Sequence, residues 1–207
     1  MIELIQGSDE WLQARCGSVG ASRIDDLCAK IKTGYGASRA NLMAELLVER
    51  LTGKPTESYV NAAMQHGIET ELEARAAYEM AHETWVKEVG LIRHPRIAGA
   101  HASPDGLVGD NGLVEIKCPN TATHIDTLLR REVPSKYVKQ MQWQMVCADR
   151  AWCDFVSYDP RMPPRMQLFV QRVRFDPVLV ADLETEVAVF ISELDAKIAE
   201  LRRAYGD

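Results

Sequence analysis

One local pattern commits the middle of the chain to a β-hairpin: Leu107-Val108, then Gly109-Asp110-Asn111-Gly112, then Leu113-Val114-Glu115-Ile116-Lys117. Two apolar, β-branched runs flank residues that tolerate a tight reversal, with the turn expected at Asp110-Asn111-Gly112. Side chains alternate between the faces of a strand, so Glu115 and Lys117 share one face while Ile116 points into the core. The reversal also returns Asp105, in Ser103-Pro104-Asp105-Gly106, to the side of Glu115. Two carboxylates and an ammonium then share one small site.

Helical spacing dominates on both sides of this hairpin. Ser8 to Ala29 reads as an opening loop and a helix, with Ser22 as an N-cap before Arg23 to Leu27. Thr33 to Ala37 reads as a flexible loop, and Ser38 to Leu51 as a helix stopped by Gly53. Asn61 to Met80 reads as a second long helix, in which Gly67 suggests a close approach to its backbone. Trp85 to Ile92 and Arg96 to Ala102 read as strands. Thr121 to Glu132 and Ser135 to Ala148 read as helices, Trp152 to Tyr158 and Gln167 to Phe175 as strands, and Asp176 to Tyr205 as a closing helix. The expectation is an α/β domain spanning residues 1–207, with a central mixed sheet flanked by helices.

Composition narrows the class. The chain is 46% hydrophobic, too much for a disordered segment. No apolar run is long enough to span a bilayer, and acids occur within the first ten residues, unlike a secretory leader. A cytoplasmic protein is expected. The five cysteines are odd in number and form no CxxC pair, which argues against a disulfide framework, a zinc ribbon or an iron–sulfur cluster. The net charge of -6 is a global sum, and nucleic-acid binding needs only a local basic surface.

Asp105, Glu115 and Lys117 have the chemistry of a phosphodiester-cleaving site. Mg²⁺ prefers oxygen ligands, and a few carboxylates plus a substrate phosphate suffice to hold it. Lys117 would orient a water and offset developing negative charge, or act as a base if metal ions lowered its pKa. The residues alone also fit a plainer reading, since Pro-Asp-Gly is a common turn and Glu-x-Lys is ordinary on a solvated strand. Glu71, on the preceding helix, could complete a metal site through water, or lie on a solvated helix face like Glu69 and Glu73. Gln140 could bind a phosphate or a water, or sit exposed on its helix.

The motif Pro104-Asp105 … Glu115-Ile116-Lys117 is the PD-(D/E)XK signature of restriction-endonuclease-like nucleases. More narrowly, the chain resembles the phage lambda exonuclease and YqaJ-type viral recombinase (alkaline exonuclease) family. The resemblance runs in order through Trp11–Arg15, Gly20-Ala21-Ser22, Gly67–Arg75, Ser103–Leu107, Glu115–Pro119, Tyr137–Gln142 and Tyr158–Met162. It implies Asp105, Glu115 and the Ile116 backbone carbonyl as ligands of Mg²⁺, with two ions and Mn²⁺ able to substitute. Lys117 would contact the attacking water, Glu71 would reach the metal through water, and Gln140 would support the site. A pocket for a terminal 5′-phosphate would comprise Arg15, Ser22, Ser103 and Lys32, although the segment 30–38 departs from the family pattern. Met64 would belong to an apolar wedge at the DNA end, and His66 lies outside the pattern. The implied activity is 5′-to-3′ digestion of duplex DNA to mononucleotides, leaving 3′ single strands for phage-type recombination. The implied assembly is a homotrimeric ring working with a single-strand annealing protein. The alternative is a PD-(D/E)XK endonuclease, restriction-like or junction-cutting.

Overall fold

Strand alternation in the central hairpin decides how the rest of the chain packs. The computed structural model describes residues 4–56 and 62–206. In chain order the elements are α1 (Asp9–Arg15), β1 (Val19–Gly20), α2 (Ile24–Cys28), β2 (Lys30–Ile31), β3 (Gly34–Tyr35), α3 (Ala37–Thr52) and α4 (Ala62–His82). There follow β4 (Val86–Lys87), β5 (Ile92–Arg93), β6 (Ala100–Ala102), β7 (Gly106–Val108) and β8 (Gly112–Lys117). The chain continues through α5 (Thr121–Arg130), α6 (Ser135–Ala148), β9 (Trp152–Tyr158), β10 (Leu168–Arg174) and α7 (Pro177–Tyr205).

The main sheet has the order β10-β9-β8-β7-β4, with β8 and β9 parallel and the other pairs antiparallel. Parallel pairing of β8 with β9 requires a crossover, which α5 and α6 supply. Leu113 and Phe155 face the larger apolar cluster, which includes Met141, Trp143 and Met145 of α6 and Val187, Phe190 and Leu194 of α7. Val114, Ile116 and Val156 face the other way, against Ala74 and Tyr78 of α4. The mixed sheet flanked by helices is therefore as expected, and Ile116 is core on the α4 side.

A second sheet, β1-β6-β5, was not visible in the sequence as strands of two or three residues. Its parallel β1–β6 register pairs Gly20 with His101, bringing the N-terminal segment beside the approach to Asp105. Several expectations need correction. The expected strand 96–102 shrinks to Ala100–Ala102, because Gly99 takes a positive φ and His94 Nδ1 accepts from the Arg96 and Ile97 amides. The strand over 85–92 breaks into β4 and β5, which belong to different sheets. The expected loop 33–37 is instead the turn and second strand of a β2–β3 hairpin, pinned to α7 where Lys30 and Tyr35 both bond Glu186. Ser22 lies inside a 3₁₀ turn (Ala21–Arg23) and makes no cap bond; Ser8 caps α1 instead, accepting from Trp11 N at 3.2 Å. At Gly67 the Cys118 carbonyl oxygen would lie 3.9 Å from an added Cβ, an ordinary contact, so crowding does not require glycine there.

Gly106, which follows Asp105, does require it. An added Cβ would fall inside the Val86 side chain and 3.3 Å from the Lys87 carbonyl oxygen. Val86 is β-branched and cannot swing clear. Gly106→Ala should therefore destabilise the protein by about 1–3 kcal/mol, the usual cost of overpacking. Urea denaturation measures this, and wild-type stability would show that β4 yields freely.

Candidate active site

The chain turns Asp105 back onto β8, where its Oδ2 accepts the Ile116 N–H at 2.6 Å. Glu115 points to the opposite face from Ile116 and is wholly buried. A buried carboxylate needs partners for both oxygens. Lys117 pairs with Oε1, Gln140 Nε2 donates to Oε1 at 2.5 Å and Gln144 Nε2 donates to Oε2 at 2.6 Å. The expected convergence of Asp105, Glu115, Lys117 and Gln140 is present. The exposed-surface alternative for Gln140 is removed by that contact. Burial and then the charge of Glu115 lift the Asp105 carboxyl well above the usual carboxylate range, while Lys117 and the Ile116 N–H pull it down. Burial opposes the Lys117 charge, yet Glu115 and Asp105 outweigh it and raise the ammonium above its ordinary pKa.

Glu71 stands nearby on α4, close enough for its charge to act on Asp105. Its Oε1 is bonded by Arg75 at 3.1 Å, so it does not turn inward as a third acid. Among the described residues no three His, Cys, Asp or Glu side chains converge as a metal cage. Two carboxylates and a backbone carbonyl nevertheless suit Mg²⁺, which keeps several waters and rarely takes an all-protein cage. His66 bonds Thr70 through Nδ1 at 3.2 Å. The Met64 side chain lies outside the described residues.

A second centre begins two residues before Asp105. Trp11 Nε1 donates to Ser103 Oγ at 3.1 Å, and the Arg15 guanidinium lies 3.9 Å from the Trp11 ring centroid. Arg15 and Ser103 are thus held around one indole. Arg15 is half-buried, makes no described ion pair, and has its pKa lowered by burial against the opposing charge of Glu49. Arginines as buried as this normally find a carboxylate. Arg39, by contrast, reaches Glu193 at 2.9 Å. Ser22 is exposed beyond Gly20, whose added Cβ would lie 3.6 Å from Arg15 Nη2. Lys32 is exposed in the β2–β3 turn, and no described contact joins it to Arg15.

Two residues of this region escaped the sequence reading. Gln144 was detectable, lying four positions after Gln140 and so on the same helix face. His101 is buried and accepts from Arg15 Nε at 3.3 Å. Nothing in the sequence announces that contact, which depends on the β1–β6 pairing. His124 is a core histidine, bridging Ser157 Oγ and the Met166 carbonyl.

A mixed sheet carrying Asp105, Glu115 and Lys117 on one hairpin defines the PD-(D/E)XK class. The family model for the YqaJ-like viral recombinase domain matches residues 10–151, and the chain belongs to that family. Among solved structures it is similar to LHK-Exo in complex with dAMP, at 54% identity and a TM-score of 0.90, covering 95% of this chain and 97% of that one. It is similar to the alkaline exonuclease LHK-Exo from Laribacter hongkongensis, at 53% identity and a TM-score of 0.89 over the same shares. A phage-related exonuclease from Haemophilus somnus 129PT shares the fold at 16% identity and a TM-score of 0.73, covering 89% of this chain and 96% of that one. No match is found among curated protein sequences.

The strain on Asp105 has a stability signature. Its folded pKa lies above the unfolded value, so ionisation costs stability once the pH passes about 4, the unfolded pKa, and the cost grows until the folded pKa is passed. Asp105→Asn keeps an oxygen for the Ile116 N–H and removes the charge. With chelator present it should raise Tm by roughly 2–4 °C at pH 8, the size of a gain of about 1 kcal/mol in a chain this long. The gain should vanish near pH 4. A lower Tm at pH 8 would show that Asp105 is not electrostatically strained.

Proposed function

We propose that the chain is a Mg²⁺-dependent exonuclease that degrades duplex DNA 5′ to 3′ and releases 5′-mononucleotides. The reading is carried by one juxtaposition: Ser103, which Trp11 ties to Arg15, stands two residues before Asp105 of the Asp105–Glu115–Lys117 group. Ser103 and Asp105 are two residues apart, at most about 7 Å between Cα atoms. A terminal phosphate at Arg15 would thus leave the next phosphodiester near Asp105, which fits removal of one nucleotide at a time. LHK-Exo, bound to dAMP, is a similar protein holding a nucleoside monophosphate.

Asp105, Glu115 and the Ile116 carbonyl would hold the cation, and Mn²⁺ would substitute for Mg²⁺. When bound, the cation supplies Lewis acidity toward the phosphate and lowers the pKa of water. Gln140 and Gln144 fix both oxygens of Glu115, so the carboxylate is set before substrate arrives. Lys117 remains an ammonium among the chain's own charges, which suits orienting water and offsetting phosphate charge more than acting as a base. Glu71 would contribute through water. Arg15, Ser103 and Ser22 would take the terminal phosphate, since an arginine fork with hydroxyls matches a phosphate dianion, and Lys32 would add charge from its loop. Met64 would wedge the end base pair. A homotrimeric ring and a single-strand annealing protein complete the recombination role that the family resemblance implies. Light scattering tests the ring.

Digestion of end-labelled linear duplex with Mg²⁺ tests the activity. The expected outcome is mononucleotide release from 5′-phosphorylated ends, with closed circles spared. Nicked or linearised circles would favour an endonuclease. Lys117→Ala should lower kcat by at least about 100-fold, as loss of an electrostatic catalytic group does. Mg²⁺ should raise the Tm of the wild type and leave that of Asp105→Asn unchanged; equal shifts would place the ion elsewhere.

A further inference from the structure

The Arg15 guanidinium is fixed by two contacts at right angles in function: an indole against its face and an imidazole at its edge. The Trp11 ring lies 3.9 Å beneath it. His101 Nε2 accepts from Arg15 Nε at 3.3 Å. An imidazole that accepts at Nε2 carries its proton at Nδ1, and Nδ1 lies 2.7 Å from Ser18 Oγ. Arg15, which can only donate, sets this tautomer, and Ser18 Oγ accepts the Nδ1 proton and holds the ring in place. No described hydrogen bond takes the Nη1 or Nη2 donors of Arg15, so its fork is left for a ligand.

We infer that His101 is a positioning residue for recognition of a terminal phosphate: it receives Nε–H, fixes the roll of the guanidinium about its long axis, and leaves the outer fork facing the pocket. The inference rests on the phosphate-pocket reading of Arg15. The neighbourhood is shaped for it. Gly20 pairs with His101 in the β1–β6 register, and a Cβ there would press to 3.0 Å from His101 Nε2. Glycine at this position leaves the imidazole room to meet Arg15. The ring is also kept uncharged, as the arrangement needs: burial, then the charges of Arg15 and Arg93, push its pKa down to about 3. A protonated imidazole would have no acceptor for Nε–H and would repel the cation it holds. A buried carboxylate in the same place would hold Arg15 as firmly but would cancel the charge that attracts phosphate. A neutral acceptor orients without neutralising.

Two substitutions separate the two nitrogens. The Gln oxygen reaches the place of Nε2, so His101→Gln retains the acceptor for Arg15 and gives up Ser18. The Asn oxygen reaches only the place of Nδ1, so His101→Asn retains Ser18 and gives up Arg15. The readout is the ratio of KM on 5′-hydroxyl to KM on 5′-phosphorylated linear duplex, with folding checked by Tm. His101→Asn should lower this ratio about tenfold, the order expected when a charge-assisted hydrogen bond loses its alignment. His101→Gln should keep the ratio within about twofold of wild type, since one neutral acceptor replaces another. Equal ratios in the two variants, tracking only their Tm, would overturn the inference. Arg15→Ala is the reference. If it leaves the ratio unchanged, the phosphate pocket itself is wrong. If it abolishes the ratio while His101→Asn keeps it, the pocket stands and the role of His101 falls. Should neither His101 variant fold, Ser18→Ala gives the same reading: freeing the imidazole lowers the ratio, and an unchanged ratio refutes the assignment.

Discussion

The hydrogen bond from the Ile116 amide to Asp105 closes the hairpin and places two acids against each other in the interior. Such an arrangement opposes folding unless something offsets it, because buried like charges repel and neither is hydrated. The chain offsets it partially. Lys117 supplies one positive charge, while two carboxamides from α6 occupy the oxygens of Glu115. Two negative charges and one positive leave a deficit of one. A site built with a residual negative charge lowers stability, and a bound cation, as proposed above, would offset it.

That deficit explains the order of elements around the site. Parallel β8 and β9 force a crossover, and the crossover is α6, the helix that carries Gln140 and Gln144 onto Glu115. The face opposite carries no such demand, so Val114, Ile116 and Val156 pack as an ordinary core under Ala74 and Tyr78. One strand thus serves two purposes through its alternation. Its odd positions, Glu115 and Lys117, face the candidate site, and its even positions hold the sheet on α4.

How much of this was legible depended on sequence separation. The hairpin, its shared face and the long helices follow from local periodicity and turn residues, and they were read correctly. Gln140 and Glu115 were both nameable, but their contact is set by the crossover and not by any spacing. The short strands β1, β5 and β6 carry too few residues to show a period, so the second sheet was invisible, and His101 was left without a role. Ser22 misled for a related reason. Serine before an apolar run is a good cap signal, yet the backbone enters α2 through a 3₁₀ turn that leaves its hydroxyl unused. Local rules failed where pairing between distant segments fixed the backbone.

The same contrast resolves the charge of the chain. A net charge of -6 repels a polyanion at long range. Many of the cations, however, are committed to carboxylates: Arg23 to Glu45, Arg39 to Glu193, Arg50 to Asp195, Arg161 to Asp159 and Arg172 to Asp154. These pairs contribute almost no field at a distance. Arg15 differs: its direct contacts are an indole and a neutral imidazole, and the carboxylate whose charge reaches it, Glu49, is bonded to the Gly17 and Thr56 amides and not to the guanidinium. In a partly desolvated setting one such charge attracts phosphate more strongly than several solvated ones, because the water that would screen it is absent. The field that any anion would meet is therefore set by the partner each cation takes in folding, and the sum over the chain says little about it.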